Sequence, residues 1–171
     1  DLSAFRRDKF SKEPCMCLTQ ADKQGRMIQS LIVNLYRSLV AYHASPRIEL
    51  KPVILFKSNK IAESRTSYDE FLILIDELKV SDITPIRNDS RKPSVLVRAF
   101  EFLTRMGYTD SDIAKRISTS FKKSEGGYNV LSLDKVGEYT KLDDEVQELL
   151  NTLEKGSNPI RAIFTVDKLN E

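Results

Sequence analysis

The sequence contains no run of eighteen apolar residues, so no transmembrane helix is expected. Histidine is nearly absent. His43 stands alone, and one imidazole cannot serve both a Ser-His-Asp triad and a metal cluster. H-E-x-x-H, G-x-S-x-G and G-x-G-x-x-G are all missing. None of the six glycines opens G-x-x-x-x-G-K-S/T, so there is no phosphate-cradling loop. Cysteine is scarce, with Cys15 and Cys17 at C-x-C spacing. A disulfide between such close neighbours would be strained. A structural zinc needs four ligands, and only His43 could join the two thiols. The pair therefore reads as thiols in a reducing cytoplasm. Charge of one sign is lacking too, with 27 Lys+Arg against 25 Asp+Glu and a net charge of +2. A nucleic-acid binder usually shows a basic excess or stripe, so any DNA contact has to come from local geometry. The first ten residues are polar, so no signal peptide is expected, and the missing initiator methionine fits a fragment.

What is present suits one α/β domain. With 171 residues and 40% apolar content, a packed core is within reach. Residues 1–21 read as an irregular lead-in. Asp22 reads as an N-cap, and Ile28, Leu31, Ile32, Leu35, Leu39 and Tyr42 follow at helical spacing to an end near Ser45-Pro46. Pro52 to Phe56 is wholly apolar and partly β-branched, the pattern of a strand buried on both faces of a parallel sheet. Residues 80–93, with Pro85 and Pro93, read as a loop. Val95, Ala99, Phe100 and Leu103 predict a short helix ending near Gly107. Thr109 with Asp112 resembles a capping box for a helix through Ile113 and Ile117. Residues 85–125 together read as a small helical insertion. Tyr128 to Leu133 is a second strand candidate. Asp143 would cap a helix carrying Val146, Leu149, Leu150 and Leu153, closed by Gly156. Asn158-Pro159 is a turn, and Ile160 to Val166 is a third strand candidate. Alternating helix and strand is the pattern of an open parallel sheet covered by helices.

One segment invites misreading. Phe71 to Glu77 has the form of a Walker B strand, an apolar run closed by Asp76 and Glu77. Yet Tyr68, Phe71, Leu72, Ile75 and Leu78 form one helical stripe. An Asp-Glu pair without a P-loop has no phosphate to serve, because Mg²⁺ is held jointly with the P-loop hydroxyl. A helix with both carboxylates exposed is the better expectation.

In open α/β sheets ligands bind at the carboxyl edge. Two strand ends deliver polar residues there, Lys57-Ser58-Asn59-Lys60 after the first and Asp167-Lys168-Leu169-Asn170-Glu171 after the third. Lys51 to Ser64 (KPVILFKSNKIAES) resembles motif IV of superfamily 2 helicases, in the form found in the restriction subunits of type III restriction-modification enzymes. Asn158 to Glu171 (NPIRAIFTVDKLNE) resembles the start of motif V in the same family. The resemblance covers about residues 20–79 and 128–171. It implies an incomplete RecA-like domain, residues 22–171, from the second lobe of an ATP-driven DNA translocase-endonuclease in the cytoplasm.

In that family ATP binds between two RecA-like lobes and DNA lies across both. By resemblance, Lys57, Ser58 and Asn59 sit where motif IV meets the phosphate backbone. Thr165, Val166, Asp167 and Lys168 sit where motif V approaches DNA, and Asn170 and Glu171 lead toward the nucleotide cleft. Val166 departs from the threonine common in motif V, which puts a hydroxyl contact there in doubt. The implied cofactors, ATP and Mg²⁺, belong to the parent enzyme. The implied partners are DNA, the first lobe and nuclease domain of the same polypeptide, and a modification methyltransferase subunit. Walker A, Walker B, motif VI and the nuclease are not in this stretch, so no catalytic residue or metal ligand is expected here. The rival readings are another superfamily 2 helicase without a nuclease, and a non-enzymatic α/β interaction domain. In isolation Lys57 and Lys60 are ordinary solvated residues, Asp167 a turn former, Lys122-Lys123 a solvated turn, and His43 a C-terminal cap or surface residue.

Overall fold

The computed structural model describes residues 17–45, 51–134 and 144–166. Helix α1 spans Lys23–Ala44, with the Asp22 carboxylate accepting from the Gly25 amide at 2.7 Å. The expected stripe is buried from Met27 through Leu35 and then leaves the core, so that Tyr42 is 57% exposed. Strand β1 is Ile54–Ser58, two residues later than the apolar run suggested. Lys57 and Ser58 therefore lie within the strand rather than after it.

Helix α2 covers Ile61–Glu77, which excludes the Walker B strand. Phe71, Leu74 and Ile75 are buried, while Asp76 and Glu77 are exposed. Helix α3, Val80–Asn88, replaces the first nine residues of the loop expected at 80–93, and residues 89–93 remain outside helix and strand. Pro85 removes one helical donor, but other contacts hold the turn. The Asp82 carboxylate accepts from the Lys79 amide at 3.0 Å, and Ile83 is fully buried. Arg87 donates to Asp110 at 2.6 Å, and Thr84 donates to the same carboxylate at 2.7 Å. Tertiary burial overrode the polar composition.

Helix α4, Ser94–Arg105, ends in the manner expected. Gly107 adopts φ +81°, and the Gly107 and Tyr108 amides return to the Thr104 and Leu103 carbonyls at 2.9 Å each, a Schellman closure. Helix α5, Asp110–Phe121, opens with the predicted Thr109–Asp112 box. Strand β2 is short, Val130–Ser132. Helix α6 is Asp144–Asn151, with its expected cap Asp143 outside the described residues. Strand β3 is Ala162–Val166.

The three strands form a parallel sheet in the order β1-β3-β2, flanked by helices. This agrees with an incomplete RecA-like sheet. Ile54, Ala162 and Val130 share one row, and Phe56, Phe164 and Ser132 the next. Helix α2 lies on this face. Phe71 meets Phe164 and Phe56 at 5.3 Å and Phe121 at 5.7 Å between ring centroids. Burying each such ring contributes about 1.5–3 kcal/mol. Helices α1 and α3 to α5 extend the same core outward from the sheet.

The opposite face carries Leu55, Ile163 and Leu131 in register. Leu55 is 53% exposed, so β1 is not buried on both faces as its composition suggested. It is an edge strand with one open side. The β1-to-β2 crossover passes over β3 and the β2-to-β3 crossover runs back. Ile163 on that side is only 5% exposed although it stands outside the main core.

Candidate nucleic-acid interface

The chemistry-bearing residues gather where β1 and β3 end together. In register, Lys57 pairs with Thr165 and Ser58 with Val166. Because side chains alternate across a strand, these four divide between the two sides of the sheet. Ser58 and Val166 stand on the α2 side, and Lys57 and Thr165 on the side of Leu55. Lys57 is exposed and Ser58 half-buried, and Asn59 and Lys60 form the exposed bend into α2. The Thr165 hydroxyl stays local, 3.4 Å from the Val166 carbonyl. Asp167, Lys168, Asn170 and Glu171 lie outside the described residues.

Helix α2 starts directly behind this edge. No side chain caps Lys60, so the first amides of α2 add donors beside Ser58 and Asn59. Its first turn is fastened to the end of β2. The buried Ser64 hydroxyl donates to the Asp134 carboxylate at 2.6 Å, and Arg65 Nε donates to the Asp134 carbonyl at 2.7 Å. The sequence reading passed over Asp134. Its signal was positional only, a carboxylate two residues past the second strand.

Asn158, read as a turn residue, is a buried junction. Its amide donates to the Leu149 carbonyl at 2.6 Å and to the Thr152 hydroxyl at 3.0 Å, and its side-chain oxygen accepts from the Ile160 amide at 2.9 Å. Lys51 Nζ reaches the same oxygen at 3.2 Å and also bonds the Asn158 carbonyl. The two stretches that carry the motif IV and motif V resemblance are thus joined ahead of the strands as well as along them.

Asp76, the Walker B look-alike, has a different role. Lys122 Nζ lies 2.8 Å from its carboxylate, and the Tyr128 hydroxyl donates to it. These bonds hold the Asp76 carboxyl below the ordinary carboxylate range, Lys122 first and Tyr128 second. The same bond raises the Tyr128 phenol above its ordinary value. Lys122 is therefore engaged, and the turn it begins is not simply solvated. His43 is exposed in the last turn of α1, in keeping with a surface residue, and also makes edge-on ring contacts with Tyr42 at 5.6 Å and Phe102 at 5.9 Å. Among the described residues no group of three or more His, Cys, Asp or Glu could hold a metal ion, and no helix is long and apolar enough to cross a membrane.

Over 184 aligned residues the chain is 29% identical to a Haemophilus influenzae protein named "Probable type III restriction-modification enzyme HindVIP Res subunit". The alignment covers 99% of this chain and 35% of that protein, so the chain spans about a third of its relative's length. The resemblance to type III Res subunits therefore runs through nearly the whole chain, including residues 80–127. No family model matches the chain. No solved structure matches it either.

Proposed function

We propose that this chain forms the opening part of the second motor lobe of an ATP-dependent type III restriction translocase-endonuclease, and that the joint ends of β1 and β3 meet the DNA backbone. The observation that carries the reading is the register Lys57–Thr165 and Ser58–Val166 on adjacent parallel strands, in a chain similar along its length to a Res subunit. A motor must grip any sequence. It should therefore contact phosphate and sugar, which carry no base information, through hydroxyls, lysines and backbone amides. The β1 end and the first turn of α2 offer that set. Ser64 and Asp134 act as positioning residues that fix this turn against β2.

We assign no Mg²⁺–ATP site to the described residues. There is no P-loop in the sequence, and the Asp76 carboxylate is engaged by Lys122 and Tyr128 on a helix. ATP and Mg²⁺ are therefore assigned to other segments of the parent enzyme, with Asn170 and Glu171 leading toward that cleft. The remaining partners would be DNA, the first lobe, the nuclease domain and a modification methyltransferase subunit in the cytoplasm.

The test uses the full-length parent with Lys57→Ala and Ser58→Ala. Fluorescence anisotropy on oligonucleotides of several unrelated sequences should show a loss of affinity that is equal across sequences. Lys57→Ala should also lower the slope of log affinity against log salt by about one unit. Unchanged affinity, or a loss confined to particular sequences, would overturn the assignment of the β1 end.

A further inference from the structure

We propose that the face shared by the end of α1 and helix α4 is a second nucleic-acid site, a stacking platform for unpaired bases. Tyr36 and Phe102 meet at 5.5 Å, His43 and Phe102 at 5.9 Å, and Tyr42 and His43 at 5.6 Å, all edge-on. The Arg105 guanidinium lies 5.6 Å from the Phe102 ring centroid. Four rings from two helices thus form one connected array with a cation at its rim. The array is not sealed into the core. Tyr42 is 57% exposed, His43 and Arg105 are exposed, and Phe102 is half-buried.

Helical spacing puts Arg98 four residues before Phe102 on the same stripe of α4. Among the described residues neither Arg98 nor Arg105 is held in an ion pair. The charge around them is not average. Helices α1 and α4 together hold five Lys and Arg against one acidic residue, Glu101. Exposed rings beside unpaired arginines in a locally basic layer suit a single-stranded polyanion with flat bases. Stacking on aromatic faces accepts any base, and arginine holds the adjoining phosphate. An acidic, apolar peptide would be the competing occupant. It would match the arginines but would bring no flat base to the exposed Tyr42 and His43 rings.

The platform is separate from the β1–β3 strand ends. Neither α1 nor α4 contributes a residue to them, and α4 packs chiefly on α1. The inference therefore stands or falls apart from the backbone contact proposed for Lys57 and Ser58.

The experiment uses the 171-residue chain at low salt. Its probes are a labelled oligothymidylate of twenty nucleotides, the duplex of the same length, and the oligothymidylate carrying 5-iodouracil for photocrosslinking. Single strand should bind more tightly than duplex, and crosslinked peptides should include Tyr42, His43 or Phe102. Tyr42→Ala removes only an exposed ring, so it should keep the circular dichroism spectrum while weakening single-strand binding about fivefold or more. Arg105→Gln should lower the salt slope by about 0.7 unit, whereas Tyr42→Ala should leave that slope in place. Equal affinity for single strand and duplex overturns the proposal. So does a Tyr42→Ala chain that binds like the parent, the outcome expected if the face serves a peptide, and so do crosslinks confined to the β1 and β3 ends.

Discussion

Single residues hold this fold at points where composition gave little notice. Asn158 bonds α6, the start of β3 and Lys51 from one buried amide. Asn158→Ala strands several partners at once, and each unsatisfied buried group costs about 1–3 kcal/mol. Urea unfolding should show a loss of at least about 2 kcal/mol, more than for exposed Asn59→Ala, which should stay within about 0.5 kcal/mol. Asp76 supplies the pH-dependent counterpart. Its carboxyl is held below the ordinary value of 3.8 in the folded chain by Lys122 and then Tyr128. A depressed pKa contributes stability that is fully present above the unfolded value and is lost as pH falls through the folded one. The bond to Lys122 and Tyr128 is therefore intact at neutral pH and fails only below pH 3.8. Asp76→Asn should flatten the acid limb of the stability curve between about pH 4 and the folded pKa, and leave the limb above pH 5 unchanged in slope. An identical acid limb in the variant would show that the clasp carries no free energy.

Elements were legible where local signals agreed with burial. The Asp22 cap, the Thr109–Asp112 box and the Gly107 closure are all short-range bonds, and each lies where its residues predicted. Helix α3 was not legible because its support is non-local. Pro85 and the polar residues spoke for a loop, while Asp110, twenty or more positions on, supplies the partner for Arg87 and Thr84. Strand β1 misled in another way. An apolar run says that a strand can be buried, not that something covers both of its sides, and Leu55 is left open. Helix α2 shows periodicity deciding a conflict. Ile73 is 57% exposed while Ile75, two positions away, is fully buried. A strand would place these two on the same side. Ile75→Ala should therefore cost about 2–5 kcal/mol, and Ile73→Ala should remain within about 0.5 kcal/mol. Equal losses in thermal or urea unfolding would return the segment to a strand.

At the scale of the whole molecule, charge and topology limit what this chain does by itself. The pairing of β1 with β3 spans more than a hundred residues, so the neighbourhood of Lys57 and Thr165 is invisible to any local reading. The open-sheet pattern put both strand ends at one edge and the resemblance of the two stretches brought them together in advance, but neither could foresee that alternation would split them between the sheet's two sides. The net charge of +2 is also unevenly placed. The basic excess lies in residues 80–123, so the remainder, strand ends included, carries more acid than base. Phosphate neutralisation and counterion release drive backbone binding, and among the described residues the β1 end offers Lys57 and Lys60 while the β3 end, Thr165 and Val166, adds no cation. The chain alone should therefore bind duplex DNA only weakly, with a dissociation constant of roughly 10⁻⁴ M at physiological salt. Linking it to a first lobe would raise that grip through effective concentration. Without a P-loop to hold the β- and γ-phosphates and Mg²⁺, and with Asp76 engaged by Lys122 and Tyr128, it should also turn over no ATP. A steady-state phosphate-release assay, with and without DNA, checks this directly. DNA-stimulated turnover that persists through repurification would mean that the chain holds nucleotide by means other than a P-loop, and the assignment of ATP to other segments of the parent would fail.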